Sequence, residues 1–142
     1  MGWPLAGRTM LFDINTHTWN HDLLAALELT DANLAEPLPS GTAVGPILPA
    51  MAEELGLPPD VQWVTGGHDQ VIGALGCGAA TPGTAMYAAG SVECVVPILR
   101  EKTLTPELMN ANLCTYDSAL PNRYTSVGYS LTGSNLLEYF MR

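Results

Sequence analysis

The clearest start signal in the hydrophobic pattern is Trp19-Asn20-His21-Asp22-Leu23-Leu24. Asn20 is placed to cap a helix, Trp19 to staple onto Leu24 inside its first turn, and Leu23, Leu24 and Leu27 to share one face. Upstream, the apolar stretch Thr9 to Ile14 is too short for periodicity to separate a strand from a helix end. The segment from Glu36 to Pro49 holds four of the eleven prolines together with Ser40, Gly41 and Gly45, and predicts an extended surface loop. Ala50 to Leu55 are good helix formers that stop at Gly56, where a left-handed terminating residue is easily placed, and Pro58-Pro59 break the chain.

Val61 to Val64 predict a strand that runs into Gly66-Gly67-His68-Asp69-Gln70, followed by a small-residue helix carrying Val71, Ile72, Ala74 and Leu75. Two glycines allow a sharp turn, and the next side chains are then presented at the end of a strand, where open α/β sheets place ligands. Beyond Pro82-Gly83 the pattern becomes β. Thr84 to Ala88 and Val92 to Leu99 read as strands joined by an Ala89-Gly90-Ser91 hairpin turn. Asn112 to Tyr116 and Tyr124 to Ser130 flank a turn at Ser118 to Arg123, and a helix runs from Ser134 to Met141 with Leu136, Leu137 and Phe140 as its expected core stripe. That helix reaches Arg142 without a stop signal, which reads as truncation. No internal repeat or low-complexity tract is present.

A chain of 142 residues that is 47% hydrophobic is long enough to bury a core. Fourteen Asp plus Glu against five Lys plus Arg give a formal charge of −9, which disfavours any nucleic-acid partner. No apolar run approaches the roughly eighteen residues that span a bilayer, and no export leader is visible, so a soluble, cytoplasmic protein with no membrane partner is expected. Cys77, Cys94 and Cys114 are odd in number and widely spaced, fitting mostly buried, reduced thiols. His17 and His21 stand four apart, but a helix start between them separates them as metal ligands, so no metal site is expected.

The ordered set Arg8 to Ile14, Trp19, Leu23-Leu24, Ser40-Gly41, Val44-Gly45, Gly56-Leu57-Pro58, Gly66 to Gln70, Ala74-Leu75-Gly76, Pro82-Gly83 and Gly90-Ser91 resembles the FGGY family of carbohydrate kinases, which includes xylulokinase, gluconokinase and glycerol kinase. The tail from Leu131 to Arg142 resembles the start of that family's second domain. The resemblance implies an α/β, ribonuclease-H-like fold of the actin and hexokinase type, in part only. Residues 1–80 would be the C-terminal part of the first domain, and residues 81–142 the opening β-hairpins and helix of the second.

It also implies roles. Asp69 would be the general base on a sugar hydroxyl, since an alcohol must lose its proton as it attacks the γ-phosphorus. His68, Gln70 and Gly67 would border the sugar or polyol, and Gly90-Ser91 would touch ATP phosphates, Ser91 replacing the family's usual threonine. The family's first phosphate hairpin, which anchors Mg²⁺, and its adenosine motif are absent from the 142 residues. An interior fragment inactive by itself is therefore expected, with homo-oligomerisation open and the uncovered apolar faces of a truncated chain prone to self-association. Two rival readings are a non-catalytic interaction module or split-kinase relic, and a metal- or thiol-dependent hydrolase using His68, Asp69 and Cys77. For Asp69 the plain structural alternative is a helix N-cap after a glycine turn.

Overall fold

The computed structural model describes residues 1–142. A one-turn helix α1 (Trp3–Ala6) and a 3-10 turn (Gly7–Thr9) lead into β1 (Phe12–Asp13), which pairs antiparallel with β2 (Thr18–Trp19). The Thr9 to Ile14 stretch is thus part 3-10 turn and part strand. Helix α2 (His21–Ala26) starts where expected, with Asn20 accepting from the Leu23 amide at 3.1 Å. Trp19 and Leu24 are buried together with Ala6, Phe12 and Ile14 in the first core. Leu23 and Leu27 are exposed, so the expected three-leucine face narrows to Leu24: six residues give the helix under two turns, and only one leucine meets the core.

The Pro-rich segment is not all loop. Its middle forms β3 (Ala43–Pro46), which pairs antiparallel with β4 (Gln62–Val64) across α3 (Pro49–Leu55). Proline-rich backbone is already extended, and Gly45, at φ 142°, takes up the register shift in this edge ladder. Gly56 ends α3 at φ 64°, as its position predicts. Helix α4 (Asp69–Gly76) follows the Gly66-Gly67 turn.

The second half builds one five-stranded sheet from β5 (Ala85–Ala89), β6 (Glu93–Leu99), β7 (Tyr116–Asp117), β8 (Tyr124–Thr125) and β9 (Gly128–Ser130), with α5 (Pro106–Asn110) inserted and α6 (Ser134–Met141) at the end. Tyr124 to Ser130, expected as one strand, lies along β6 in a single register but breaks into β8 and β9. The break falls opposite Pro97, which has no N–H for the ladder. Thr125, fully buried, donates its hydroxyl to the Pro97 carbonyl at 2.7 Å beside the break. The second core joins Ala74 of α4 and Ala79 to Val96 and Ile98 of β6.

Two expectations need correction, and one helix went unread. Leu136, Leu137 and Phe140 of α6 are exposed, because no segment of this chain covers that face. Cys77 and Cys114 are exposed and only Cys94 is buried, all three as free thiols. Helix α5 was not foreseen, although Thr105 caps it and Pro106 occupies its first position, both readable start signals. No helix is long and apolar enough to cross a membrane.

Candidate functional site

The Gly66-Gly67 turn is held from three sides. Below it, Thr65 continues the β3–β4 pairing: its amide donates to the Thr42 carbonyl at 2.9 Å, and Gly41 donates to the Thr65 carbonyl at 2.8 Å. The buried Thr65 hydroxyl donates to the Pro39 carbonyl at 2.6 Å and accepts from the Thr42 amide at 3.0 Å. From the side, the Ser40 hydroxyl donates to the Gly66 carbonyl at 3.0 Å. From above, the N-terminal segment presses close: a Cβ at Gly2 would land on the Gly66 carbonyl oxygen, and one at Gly67 would come within 3.1–3.2 Å of Pro4 and Ile72. Position 2 therefore admits only glycine, position 67 is tight, and a side chain at position 66 would meet nothing.

The turn delivers His68 as the cap residue of α4 and Asp69 as its first helical residue. Asp69 is therefore one position inside the helix cap that was the structural alternative for it. Its Oδ1 accepts from the Gln70 amide at 2.7 Å, its Oδ2 has no protein partner, and the side chain is 83% exposed. His68 sits differently. Its side chain is 21% exposed, with Nε2 3.5 Å from Asp69 Oδ1 and a buried Nδ1 that has no partner. Burial pulls the His68 pKa below the ordinary histidine value; Asp69 opposes this and the Arg8 cation adds to it. The pair is thus an imidazole biased toward its neutral form beside a carboxyl group that faces solvent, with the Gln70 side chain free of hydrogen bonds to the protein next to it. Such a carboxylate can orient a hydroxyl and take its proton.

The second candidate element is the tip of the β5–β6 hairpin. Gly90 donates to the Val92 carbonyl at 3.2 Å, and its own carbonyl accepts from the Ser134 amide at 2.8 Å, which docks the tip on the start of α6. A Cβ at Gly133 would collide with the Gly90 carbonyl oxygen. Ser91 is exposed and its hydroxyl has no protein partner. Helix α4 packs on this hairpin, since Ala74 meets Val96 and Ile98 and Gly73 lies against Met86. The helix that begins at Asp69 and the hairpin that carries Gly90 and Ser91 are therefore parts of one packed unit.

Sequence reasoning missed Thr65, Ser40 and Gly2, which hold the turn, and it missed a contact between distant segments. His17 stacks on Trp3 with ring centroids 3.7 Å apart and places Nε2 3.1 Å from Asp117 Oδ1. His21 instead bonds Asp31, so the two histidines serve different neighbours. Partners a hundred positions apart leave no local pattern to read.

The architecture around these turns is that of known proteins. The chain superposes on gluconate kinase from Lactobacillus acidophilus with a TM-score of 0.89 at 19% identity, covering 100% of this chain and 28% of that one. On the ligand-bound xylulose kinase of the same organism the TM-score is 0.87, again at 19% identity, over 98% of this chain and 28% of that one. The fold is accordingly part of the α/β, ribonuclease-H-like architecture of the actin and hexokinase type.

The profile of the FGGY family of carbohydrate kinases, N-terminal domain, matches residues 3–76, just over half of the sequence. The chain belongs to that family. Among curated relatives, xylulose kinase from Staphylococcus epidermidis is 26% identical over 140 residues, which are 98% of this chain and 27% of that protein. Glycerol kinase from Bordetella pertussis is 36% identical over 86 residues, 61% of this chain and 16% of that protein. The chain thus spans only about a quarter of the length of the relatives it matches along its whole extent.

Proposed function

We propose that this chain is the sugar-facing part of an ATP-dependent kinase that phosphorylates a hydroxyl group of a sugar or sugar alcohol, with Asp69 as general base. The carrying observation is the carboxylate of Asp69, exposed at the start of α4 on a turn clamped by Gly2, Pro4, Ser40 and Thr65. A base that must meet the reacting hydroxyl each cycle gains from such a rigid mount, because small displacements cost rate. Asp69 Oδ2, free of protein donors, accepts the hydroxyl proton, while Oδ1 stays bonded to the Gln70 amide. His68, Gln70 and the Gly67 backbone border the sugar. Neutral His68 offers a hydrogen bond without adding a cation that would compete for the carboxylate.

ATP supplies the γ-phosphoryl group in this reading, and Gly90 and Ser91 are the residues of this chain that would hold its phosphates. Their placement suits phosphate binding, since the Ser91 hydroxyl is unpartnered and exposed at a hairpin tip anchored to α6. No three His, Cys, Asp or Glu side chains gather in these 142 residues. They do not by themselves form a cage for Mg²⁺. We place the boundary between the family's first and second domains near residue 80. The profile match that ends at residue 76 and the five-stranded sheet that begins at Ala85 support this.

The test is coupled ADP release across pentuloses, hexuloses, polyols and glycerol, using the 142-residue chain and the longest reading frame that contains it. Asp69→Asn keeps an acceptor for the Gln70 amide but is a far weaker base, and should lower kcat by about a hundredfold to ten-thousandfold with the melting temperature nearly unchanged. A well-folded long form that releases ADP with no sugar in the panel, or that is indifferent to Asp69→Asn, would overturn the proposal.

A further inference from the structure

The peptide that joins Gly66 to Gly67 lies between two residues without a Cβ, so little in the local backbone opposes a half-turn of its plane. What holds the plane must come from elsewhere in the chain. No backbone N–H donates to the Gly66 carbonyl, and the Ser40 hydroxyl, at 3.0 Å, is the one hydrogen-bond donor it has. Gly2 presses on the same oxygen, but a van der Waals contact sets no direction, whereas a hydrogen bond does. Ser40 is itself fixed on both sides. Thr65 Oγ1 donates to the Pro39 carbonyl at 2.6 Å, and the Gly41 amide donates to the Thr65 carbonyl at 2.8 Å, so Ser40 is laced to the residue just before Gly66.

The direction of that carbonyl decides what the turn offers to a ligand. The peptide is trans, so the Gly67 N–H points away from the Gly66 oxygen and from Ser40. That N–H has no acceptor in the protein. A half-turn of the plane would swing it toward Ser40 and put the carbonyl in its place, exchanging a donor for an acceptor two residues before Asp69. We infer that Ser40 is a positioning residue for the site that Asp69 serves: its hydroxyl holds the Gly66-Gly67 peptide in the one orientation that leaves the Gly67 N–H free to donate to a substrate oxygen. This role rests on the kinase reading of Asp69. Ser40 acts through the peptide and need not touch the substrate.

Two measurements test it, on wild type, Ser40→Ala and Ser40→Thr, the last of which keeps a hydroxyl. In the ¹⁵N-labelled chain, Ser40→Ala should shift the Gly67 amide and broaden it by exchange, with the helix amides beyond Gln70 unmoved, and Ser40→Thr should restore the wild-type line. In the longest reading frame, Ser40→Ala should lower kcat by about tenfold to a hundredfold for the sugar that gives turnover. KM should stay within about threefold, because the loss is one of alignment more than of binding. The melting temperature should fall by at most a few degrees, and Ser40→Thr should recover most of the rate. A Gly67 amide indifferent to Ser40→Ala would overturn the inference, as would equal losses of rate in the Ala and Thr variants. Turnover that Asp69→Asn abolishes but Ser40→Ala leaves intact would overturn it while the kinase reading stands. A long form with no sugar-dependent turnover would instead remove that reading and the role with it, even where the Gly67 amide shows that Ser40 fixes the peptide.

Discussion

Both glycine turns that carry the candidate chemistry are pinned by a glycine from a distant part of the chain, yet the two clamps differ in what stands behind them. At the Asp69 turn the Gly66 carbonyl is pressed by Gly2 and bonded by Ser40, and behind Gly2 lie the buried Pro4 and Ala6 of α1 and the first core. At the hairpin tip the Gly90 carbonyl is pressed by Gly133 and bonded by the Ser134 amide, but behind these lies α6, whose apolar side is open to solvent. A clamp is only as rigid as its backing. The base is therefore mounted on a fixed support, whereas the hairpin tip rests on an element that can move without tearing a core.

The sharpest way to break this contrast is Gly2→Ala. The new methyl meets a backbone oxygen that Ser40 and Thr65 hold in place, so the loss should reach about 3 kcal/mol in urea unfolding. A loss below about 1 kcal/mol would mean that α1 lifts freely from the turn. Thr65→Val keeps the shape but removes the buried hydroxyl that donates to Pro39 and accepts from Thr42, while the Pro39 carbonyl keeps the Thr42 hydroxyl at 2.8 Å. It should cost about 1 kcal/mol. Gly133→Ala introduces a similar collision at the hairpin tip, but α6 has room to shift outward. We expect about 1 kcal/mol or less, with faster exchange confined to the Ser134 amide. A global loss equal to that of Gly2→Ala would erase the distinction.

The smallest effect is electrostatic. Burial holds the folded-state pKa of His68 below its ordinary value of 6.5, so the unfolded chain takes up the proton first. His68 thus opposes folding as pH falls below about 6.5, and the loss levels off once pH is below the folded-state pKa. Above pH 6.5 it exerts no such effect. His68→Gln should flatten this acid-side slope, measured as urea midpoints from pH 7.5 to 5, while leaving the stability near neutrality little changed. An unaltered slope would place the acid sensitivity elsewhere.

Much of the local structure was legible because it depends on neighbours in sequence. Asn20 capping α2, Gly56 ending α3, the Gly66-Gly67 turn into α4, the Gly90-Ser91 hairpin and the extent of α6 are all set by backbone preference within a few residues. The same local code placed the turn from Gly66 to Gln70, while the roles expected of its residues came from the family resemblance. It failed where the outcome depends on a partner. Helical periodicity marked Leu136, Leu137 and Phe140 as a core stripe, but a stripe is buried only when another element packs against it.

What the sequence determined by itself is therefore most of the elements with their caps and turns, β3 and α5 excepted, and the placement of Asp69 and Ser91 at two sharp bends. The tertiary structure alone decided which distant groups meet there. Gly2 crosses Gly66, Ser40 bonds the turn carbonyl, and Trp3, His17 and Asp117 join across a hundred positions into one contact. The physical reason is one of range. Backbone dihedral preferences and capping bonds act over a few residues, whereas steric exclusion, burial and the pairing of buried polar atoms are set by whatever the fold brings into contact.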